Sequence, residues 1–531
     1  MTKVASQSEE VAVFPGYDSV ISDGRWPIPP SEPDGVLVIY TGGTIGSAPR
    51  DRSDPDSPQV VVSWEELKKA IPKFTQIPFR VDAISFVDAL DSANVGPKHW
   101  KAIAQIIKRQ YEHYVGFVVA HGTDTMVYTA SALSFILQNL GKPVIVTGAQ
   151  LSAIGKIRND AEQNLITAIL IANTRTPPIP EVCIFFRDLL IRGNRCKKVN
   201  ASGYTAFESK NYEPLAKAGS TINFDEEFVR EPPEGEFRIE TRLDTNVIAF
   251  DIFPGLQDNP ELLKKLLETP KGVVLKTYGA GNVPTEPEDL KNVIAEAAKE
   301  KIIVNVTQCI QGGVEQGLYD TSAVLQDIGV ISGQEITAEA AMCKLMKLIG
   351  EEKDFDEDAR ARIKKLMTLN LAGELDHSIS YTMLDSKGGM IKSEDPEHRR
   401  MICRSTRIEG FTKGENIHRL ILRFIGAKVT DVDRAAQVEI YANLQEGEEP
   451  ENSQNLLVGS FTKTKESKPQ TFTFNLDVGR ASKEIRPAGV SFTVVIGKPK
   501  GEGYKDERIG GLEWSKVELA LYEKRTQKTY R

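Results

Sequence analysis

The chain has 531 residues and a formal net charge of −8, with 26% charged and 40% hydrophobic residues. This length predicts about three domains, each large enough to bury a core. The negative balance argues against nucleic acid or an anionic membrane as a partner, because both require a positively charged surface. No run approaches the roughly 20 apolar residues of a membrane-spanning helix.

The cysteines and histidines favour neither a disulfide framework nor a metal site. The five cysteines are scattered without a C-x-x-C pair, and the six histidines include no H-E-x-x-H motif. An odd number of isolated cysteines is typical of a reducing compartment. The first ten residues lack the apolar segment of a signal peptide. These patterns predict a cytoplasmic protein.

A strand followed by a glycine turn opens the first structured segment, after an arm (residues 1–34) that we expect to be loosely ordered. The apolar and β-branched run from Val36 to Tyr40 predicts a buried strand, and the two glycines that follow permit a sharp turn. Open α/β sheets bind ligands at the carboxyl ends of their strands. Thr44 is therefore a candidate nucleophile, and a tight turn without chemistry is the alternative.

Residues 35–223 alternate between predicted strands and helices, which indicates a parallel sheet covered on both faces. Further strands are predicted at 84–87, 116–120, 143–147 and 182–186, and a lid-like loop at 48–58. Polar residues follow several strand ends: Asp91, Ser92, Thr123, Asp124 and Lys198.

A threonine–lysine–aspartate unit is predicted from three of these positions. A threonine hydroxyl needs a base within hydrogen-bonding distance, and a lysine serves when burial lowers its pKa. Thr123, Asp124 and Lys198 follow two strand ends, so they can meet at one edge of the sheet. A neighbouring aspartate can orient the lysine.

Each of these residues also has a structural interpretation. Asp124 can cap the helix that begins at Thr125. Asp91 and Ser92 can likewise cap the start of a helix. Lys198 ends a basic run with Arg192 and Arg195 that is typical of a solvated surface.

The rest of the chain divides into a second α/β unit and a β-rich region. Residues 224–244 are acidic and proline-rich and predict a linker, and 245–372 predict a smaller α/β domain. Residues 373–404 are predicted to be a second linker. From 405 to 531 short β-rich runs alternate with polar loops, which predicts an all-β sandwich.

Two segments, Thr41–Gly46 and His121–Met126, closely resemble the two signature motifs of the bacterial-type L-asparaginase family. Segments that begin at Thr147, Arg192 and Gly279 are similar to further family segments and follow in family order. The resemblance covers roughly residues 35 to 370. The residues after Thr44 and the stretch 307–314 are more similar to the cytoplasmic type I branch.

This resemblance implies a two-domain α/β core and the hydrolysis of L-asparagine to L-aspartate and ammonia through a threonine acyl-enzyme. It implies that Thr44 is the nucleophile and that Thr123, Asp124 and Lys198 form a second triad for activation and turnover. It also implies residues that hold the substrate, which are Asp91, Ser92, Gly43, Gly122 and Asn282. The family uses no metal or organic cofactor and assembles as homodimers or homotetramers.

One expected residue is missing from its usual place. Many family members carry a tyrosine in the loop after the first threonine, and residues 45–63 contain none. The resemblance to type I relatives implies Tyr319, from the second domain, as the activator of Thr44.

Two other functions remain open on the sequence. One is the ammonia-supplying subunit of a tRNA-dependent amidotransferase, which the acidic balance disfavours. The other is a non-catalytic amino-acid sensor or scaffold on the same fold. The complete catalytic set disfavours it, whereas the missing loop tyrosine leaves it open.

Overall fold

The computed structural model describes residues 33–54, 57–316, 320–376, 378–385, 389–391, 400–405, 417–430, 435–442, 457–464, 470–476, 490–497 and 511–523. The predicted arm, apart from its last two residues, and Tyr319 lie outside the described residues.

The first domain is a sheet with helices on both faces. Its strands are β1 (Val36–Gly42), β2 (Ser47–Pro49), β3 (Gln59–Val61), β4 (Val81–Leu90), β5 (Gly116–Ala120), β6 (Leu137–Gln138), β7 (Val144–Thr147), β8 (Val182–Phe186), β9 (Leu189–Arg192), β10 (Lys197–Lys198), β11 (Phe207–Glu208), β12 (Ala216–Ala218), β13 (Ile222–Phe224) and β14 (Arg238–Ile239). Its helices are α1 (Trp64–Ala70), α2 (Pro97–Gln110), α3 (Met126–Ile136) and α4 (Ala161–Ala172).

The main sheet has the order β13-β12-β9-β8-β7-β5-β1-β4. The strands from β8 to β4 run parallel, and β9, β12 and β13 extend the edge in antiparallel pairing. Alternate residues of β1 enter two cores: Leu37 and Ile39 pack on one face, and Val36 and Val38 on the other. The predicted parallel sheet is confirmed. The antiparallel edge formed by β9, β12 and β13 was not predicted, because these strands are short.

The segment after Thr44 forms a hairpin. Strands β2 and β3 pair antiparallel, so part of the predicted lid loop is regular structure. The hydroxyl of Tyr40 donates to the carbonyl of Val62 at 2.9 Å and ties this hairpin to β1. The hairpin that follows Thr44 is therefore held against the main sheet.

The second domain is a smaller parallel sheet flanked by helices. Its strands are β15 (Val247–Asp251), β16 (Gly272–Thr277), β17 (Ile302–Thr307) and β18 (Ile331–Ser332), in that order across the sheet. Its helices are α5 (Pro260–Glu268), α6 (Asp289–Glu300), α7 (Asp320–Asp327), α8 (Ala338–Glu351) and α9 (Glu357–Met367). Helices α3 and α8 pack together, and one apolar core includes residues of both domains.

Buried ion pairs lie where the two domains meet. Arg192 forms a two-pronged pair with Glu181, and Arg195 donates to Glu335 of the second domain at 2.8 Å. Both arginines are at most 3% exposed. The interpretation of this basic run as a solvated surface is wrong for these two residues, because Glu181 and Glu335 compensate their charge.

The carboxyl-terminal part is built of antiparallel strands. They are β19 (Ser378–Asp385), β20 (Gly389–Ile391), β21 (Arg400–Ser405), β22 (Ile417–Thr430), β23 (Ala435–Ala442), β24 (Leu457–Thr464), β25 (Gln470–Leu476), β26 (Val490–Gly497), β27 (Gly511–Trp514) and β28 (Lys516–Glu523). One sheet has the order β19-β28-β22-β27-β20, with β25 also on β22, and the other has β21-β26-β23-β24. A shared core from both sheets includes Leu422, Ile440, Phe492 and Leu519, as a sandwich requires.

The predicted linker at 373–404 differs from the structure. Strands β19, β20 and most of β21 fall within it and pair with strands of the sandwich. Polar and apolar residues alternate in Ser378–Asp385, which is a strand pattern, but the polar residues on either side obscure it.

None of the helices in the described part of the chain has the length and apolar character needed to cross a bilayer. The described residues also contain no cluster of three side chains able to bind a metal.

Candidate active site

The end of β1 places Thr44 beside a second glycine turn. Gly43 has φ +84°, a value that favours glycine, and a Cβ there would lie 2.4 Å from the Cα and N atoms of Gly122. Only the absence of a side chain at Gly43 allows the two backbones to come this close. Thr44 follows directly in a short 3₁₀ turn and is exposed.

A buried histidine shapes the turn after β5. The Nδ1 atom of His121 lies 2.6 Å from the carbonyl oxygen of Gly122, and its Nε2 lies 2.9 Å from Oγ1 of Thr129. The indole of Trp100 donates to the same Thr129 oxygen at 3.0 Å. Burial lowers the pKa of His121 to about 4, so its ring is neutral at pH 7. We assign the proton to Nδ1, because the carbonyl can only accept.

Lys198 joins the ends of two distant segments. Its Nζ donates to Oγ1 of Thr123 at 2.8 Å and to Oδ1 of Asp124 at 2.6 Å. Lys198 lies on β10, which pairs with β11, and its side chain is 17% exposed. Asp124 is more open, at 66%. The three residues form one hydrogen-bonded unit at the carboxyl edge of the sheet.

Ser92 connects the end of β4 to this unit. Its Oγ accepts from the backbone N–H of Asp124 at 3.2 Å, and its carbonyl accepts from the hydroxyl of Thr125 at 2.7 Å. A Cβ on Gly122 would lie 2.6 Å from Ser92 Oγ. Ser92 is thus buried directly beneath the glycine turn.

The two acids of the site differ in their structural roles. Asp91 is exposed and accepts from the N–H of Ala93 at 2.9 Å, as its interpretation as a cap requires. Asp124 makes no cap: Thr125 occupies that position of α3 without a side-chain cap bond, and Asp124 bonds to Lys198. The cap interpretation of Asp124 is wrong.

Asn282 lies in the second domain, in a turn after β16. Its backbone N–H and carbonyl both bond to Tyr278, and the amide of Asn305 donates to Gly281 at 3.1 Å. The neighbouring loop after β17 reaches the first domain, where Asn211 and Gly312 exchange two hydrogen bonds of 2.8 Å. The roles of Asn282 and Tyr319 at the site stay predictions.

Contacts therefore join Gly43, Gly122 and Ser92 on one side, and Ser92, Thr123, Asp124 and Lys198 on the other; the roles of all the site residues stay predictions. The sequence interpretation missed the network of Trp100, Thr129 and His121, which lies beneath the cluster. The signal available was a histidine directly after a buried strand, with a threonine eight residues later on the next helix.

Comparisons with known proteins agree with this geometry. Residues 35–230 match the family model for the asparaginase N-terminal domain, and residues 246–361 match that for the glutaminase/asparaginase C-terminal domain. L-asparaginase 1 of Escherichia coli (strain K12) is 38% identical over 346 residues, which cover 64% of this chain and 97% of that protein.

Other relatives carry different names. The 60 kDa lysophospholipase of Mus musculus is 40% identical over 364 residues, covering 64% of this chain and 62% of its own. A glutamyl-tRNA(Gln) amidotransferase subunit of Pyrococcus abyssi is 34% identical over 365 residues, covering 66% of this chain and 78% of its own.

Among solved structures, L-asparaginase I of Vibrio cholerae superimposes with a TM-score of 0.57 at 36% identity, covering 65% of this chain and 99% of that one. Both family models, the nearly complete coverage of the Escherichia coli enzyme and this superposition lead to one conclusion. The chain belongs to the bacterial-type L-asparaginase family, in its type I branch, and carries an additional carboxyl-terminal β region.

Proposed function

We propose that the protein is an amidohydrolase that converts L-asparagine and water to L-aspartate and ammonia. The observation that carries the proposal is the contact of Lys198 with both Thr123 and Asp124, next to the turn that bears Thr44. This arrangement supplies a nucleophile, a proton-transfer group and backbone N–H donors at one edge of a sheet.

In the first step, the Thr44 oxygen attacks the carbon of the substrate's side-chain amide. A bond forms between that oxygen and carbon, the C–N bond breaks, and the hydroxyl proton is transferred so that ammonia leaves. The product is an ester on Thr44. Tyr319 is the proposed proton acceptor for this step.

In the second step, water attacks the ester carbon and the bond to Thr44 breaks. Aspartate leaves, and Thr44 regains its proton. Thr123 is proposed to guide the water, and Lys198 to relay its proton, because the two side chains are already 2.8 Å apart. The N–H of Thr123 is a proposed oxyanion donor in both steps.

Substrate recognition is assigned to the turns around this unit. Exposed Asp91 suits the α-ammonium group, and Ser92 and Asn282 suit the polar groups of a zwitterion. The backbones of Gly43 and Gly122, which pack closely at this turn, are proposed to contact the substrate.

We also propose a cytoplasmic location and a homodimer or homotetramer. We propose domain limits at 35–223 and 245–372, with the β-sandwich beginning near Ser378, where its first strand pairs. Membership of the type I branch is the basis for the first two proposals, and closed symmetric assembly is the common form of oligomer.

The full chain should release ammonia from L-asparagine, and L-glutamine is the comparison substrate. Fatty-acid release from lysophosphatidylcholine and ammonia transfer to misacylated tRNA are measured in parallel, because relatives carry those names. Absence of ammonia release from both amino acids would contradict the proposal. Activity confined to misacylated tRNA would assign the chain to the amidotransferase class.

A further inference from the structure

A cavity of about 240 Å³ lies at the junction of the two α/β domains. Three segments wall it: the end of α3 with the residues after it (134–140), the connection between the domains (230–238), and the segment 370–373. It lies at the opposite end of α3 from Asp124, because α3 begins at Met126 and ends at Ile136.

Among the described residues, the buried charged groups behind this cavity are paired, except for Arg230. Glu181 pairs with Arg192, and Glu374 pairs with Lys344 at 2.7 Å with both side chains fully buried. Glu374 also accepts from the backbone N–H groups of Leu371 and Ala372. Each acid is therefore already satisfied by its own cation.

Arg230 is the exception. Its backbone N–H donates to Glu181 at 2.9 Å, but within the described part of the chain its guanidinium has no hydrogen bond or ion pair. The side chain lines the cavity and is only partly exposed. Burial lowers the pKa of Arg230, and Glu181 opposes this effect only in part. The side chain carries a positive charge that the surrounding protein does not neutralise.

A second arginine, Arg238, lines the cavity together with one carboxylate, Glu231. Lys347 also lines it, but its Nζ pairs with Glu351 at 2.9 Å. The Nε of Arg238 is held by Gln138 at 2.6 Å. With Lys347 paired, two arginines against one acid give this small space an excess of positive charge.

We propose that this cavity is a binding site for a compact anion whose oxygens accept hydrogen bonds from the Arg230 guanidinium. Guanidinium groups pair with carboxylates and phosphates through two parallel hydrogen bonds. The volume lies below the roughly 300 Å³ at which pockets for drug-sized ligands begin, so the ligand is a small one. The bound anion would join the domain connection to the segment 370–373. This inference does not depend on the proposed reaction.

Calorimetric titration of the full chain tests the site. Malonate and inorganic phosphate are the probes, and malonamide is the uncharged control. We expect saturable binding of at least one anion and none of malonamide. Arg230→Gln should weaken that binding by about tenfold or more, because a charge-assisted hydrogen bond is lost. Binding of malonate alone identifies a carboxylate ligand, and binding of phosphate alone a phosphate ligand.

Lys265→Gln is the matched control, since it removes one positive charge from an exposed position on α5. It should leave the affinity within about twofold of wild type. Without added anion, Arg230→Gln should melt no lower than wild type, because it removes an uncompensated charge. Equal affinities in wild type and Arg230→Gln, or no saturable binding of either anion, would overturn the proposal.

Discussion

Lys198 donates to the hydroxyl of Thr123 at 2.8 Å across 75 residues of sequence. The same ammonium group holds Asp124 at 2.6 Å, so one lysine fixes two adjacent side chains at the end of β5. This contact is the basis for our proposal that the turn after β5 is part of the active site.

Replacing Lys198 with methionine should lower kcat for ammonia release by about 10³-fold, because proton transfer typically contributes 10²–10⁴-fold. KM should change much less, since the lysine is not assigned to substrate binding. Steady-state kinetics with L-asparagine measure both. Lys197→Met, on the same short strand, is the matched control. Equal losses in the two variants would show that the contact with Thr123 has no special role.

Gly43→Ala should destabilise the protein by about 1–3 kcal/mol and abolish most activity. The new Cβ would lie 2.4 Å from the backbone of Gly122, in a conformation with φ +84°. Urea unfolding measures the first effect. Gly219→Ala is the control, because the nearest atom to a Cβ there is 3.9 Å away. A Gly43→Ala variant as stable and active as the control would refute the close approach.

The protein should lose stability as pH falls from 6.5 to 4. Burial holds the pKa of His121 at about 4 in the folded state, against 6.5 when unfolded. The unfolded state therefore binds more protons in this pH range. The free energy of unfolding should be highest above pH 6.5 and fall by about 3 kcal/mol as the pH drops to 4.

The contribution of His121 is isolated by measuring the free energy of unfolding across this pH range for the wild type and for His121→Gln. The variant should lack this component of the pH dependence, whereas His113→Gln, at a partly exposed position, should retain it. Parallel pH curves for His121→Gln and wild type would contradict the buried neutral ring.

Glu374→Gln should cost about 3–5 kcal/mol of stability, because it leaves the ammonium of Lys344 buried without its carboxylate. Burial raises the pKa of Glu374, but Lys344 and two backbone N–H groups lower it by more. The net pKa is therefore below its usual value, and the carboxyl is ionised. Urea unfolding measures the loss. Glu296→Gln breaks an exposed pair with Lys299 and should change little. Comparable losses in both variants would contradict the assigned pairing.

The sequence predicted the parts of the site that depend on local chain features. The β-branched run before Gly42 and Gly43 indicated a strand and turn, and strand ends in a parallel sheet share one edge. The expectation that Thr123 and Lys198 lie close together agrees with the structure. The shared edge explains only the position of Thr123, because Lys198 follows β9, which runs antiparallel to β8. The family motifs then predicted their roles.

Features that depend on distant partners were not predictable in this way. Arg192 and Arg195 looked solvated because their partners, Glu181 and Glu335, carry no pattern that links them to a basic run. The strand at Ser378–Asp385 was assigned to a linker because its partner, β28, lies more than 130 residues away.

Ammonia release from L-asparagine by Thr44→Ala tests the central claim most directly. Thr44 is exposed just after β1, so its replacement should leave the melting temperature near that of wild type. We predict that kcat falls by about 10⁴-fold or more, and that Thr44→Ser, which restores a hydroxyl, recovers part of it. Wild-type turnover by a folded Thr44→Ala variant would contradict the assignment of Thr44 as the nucleophile.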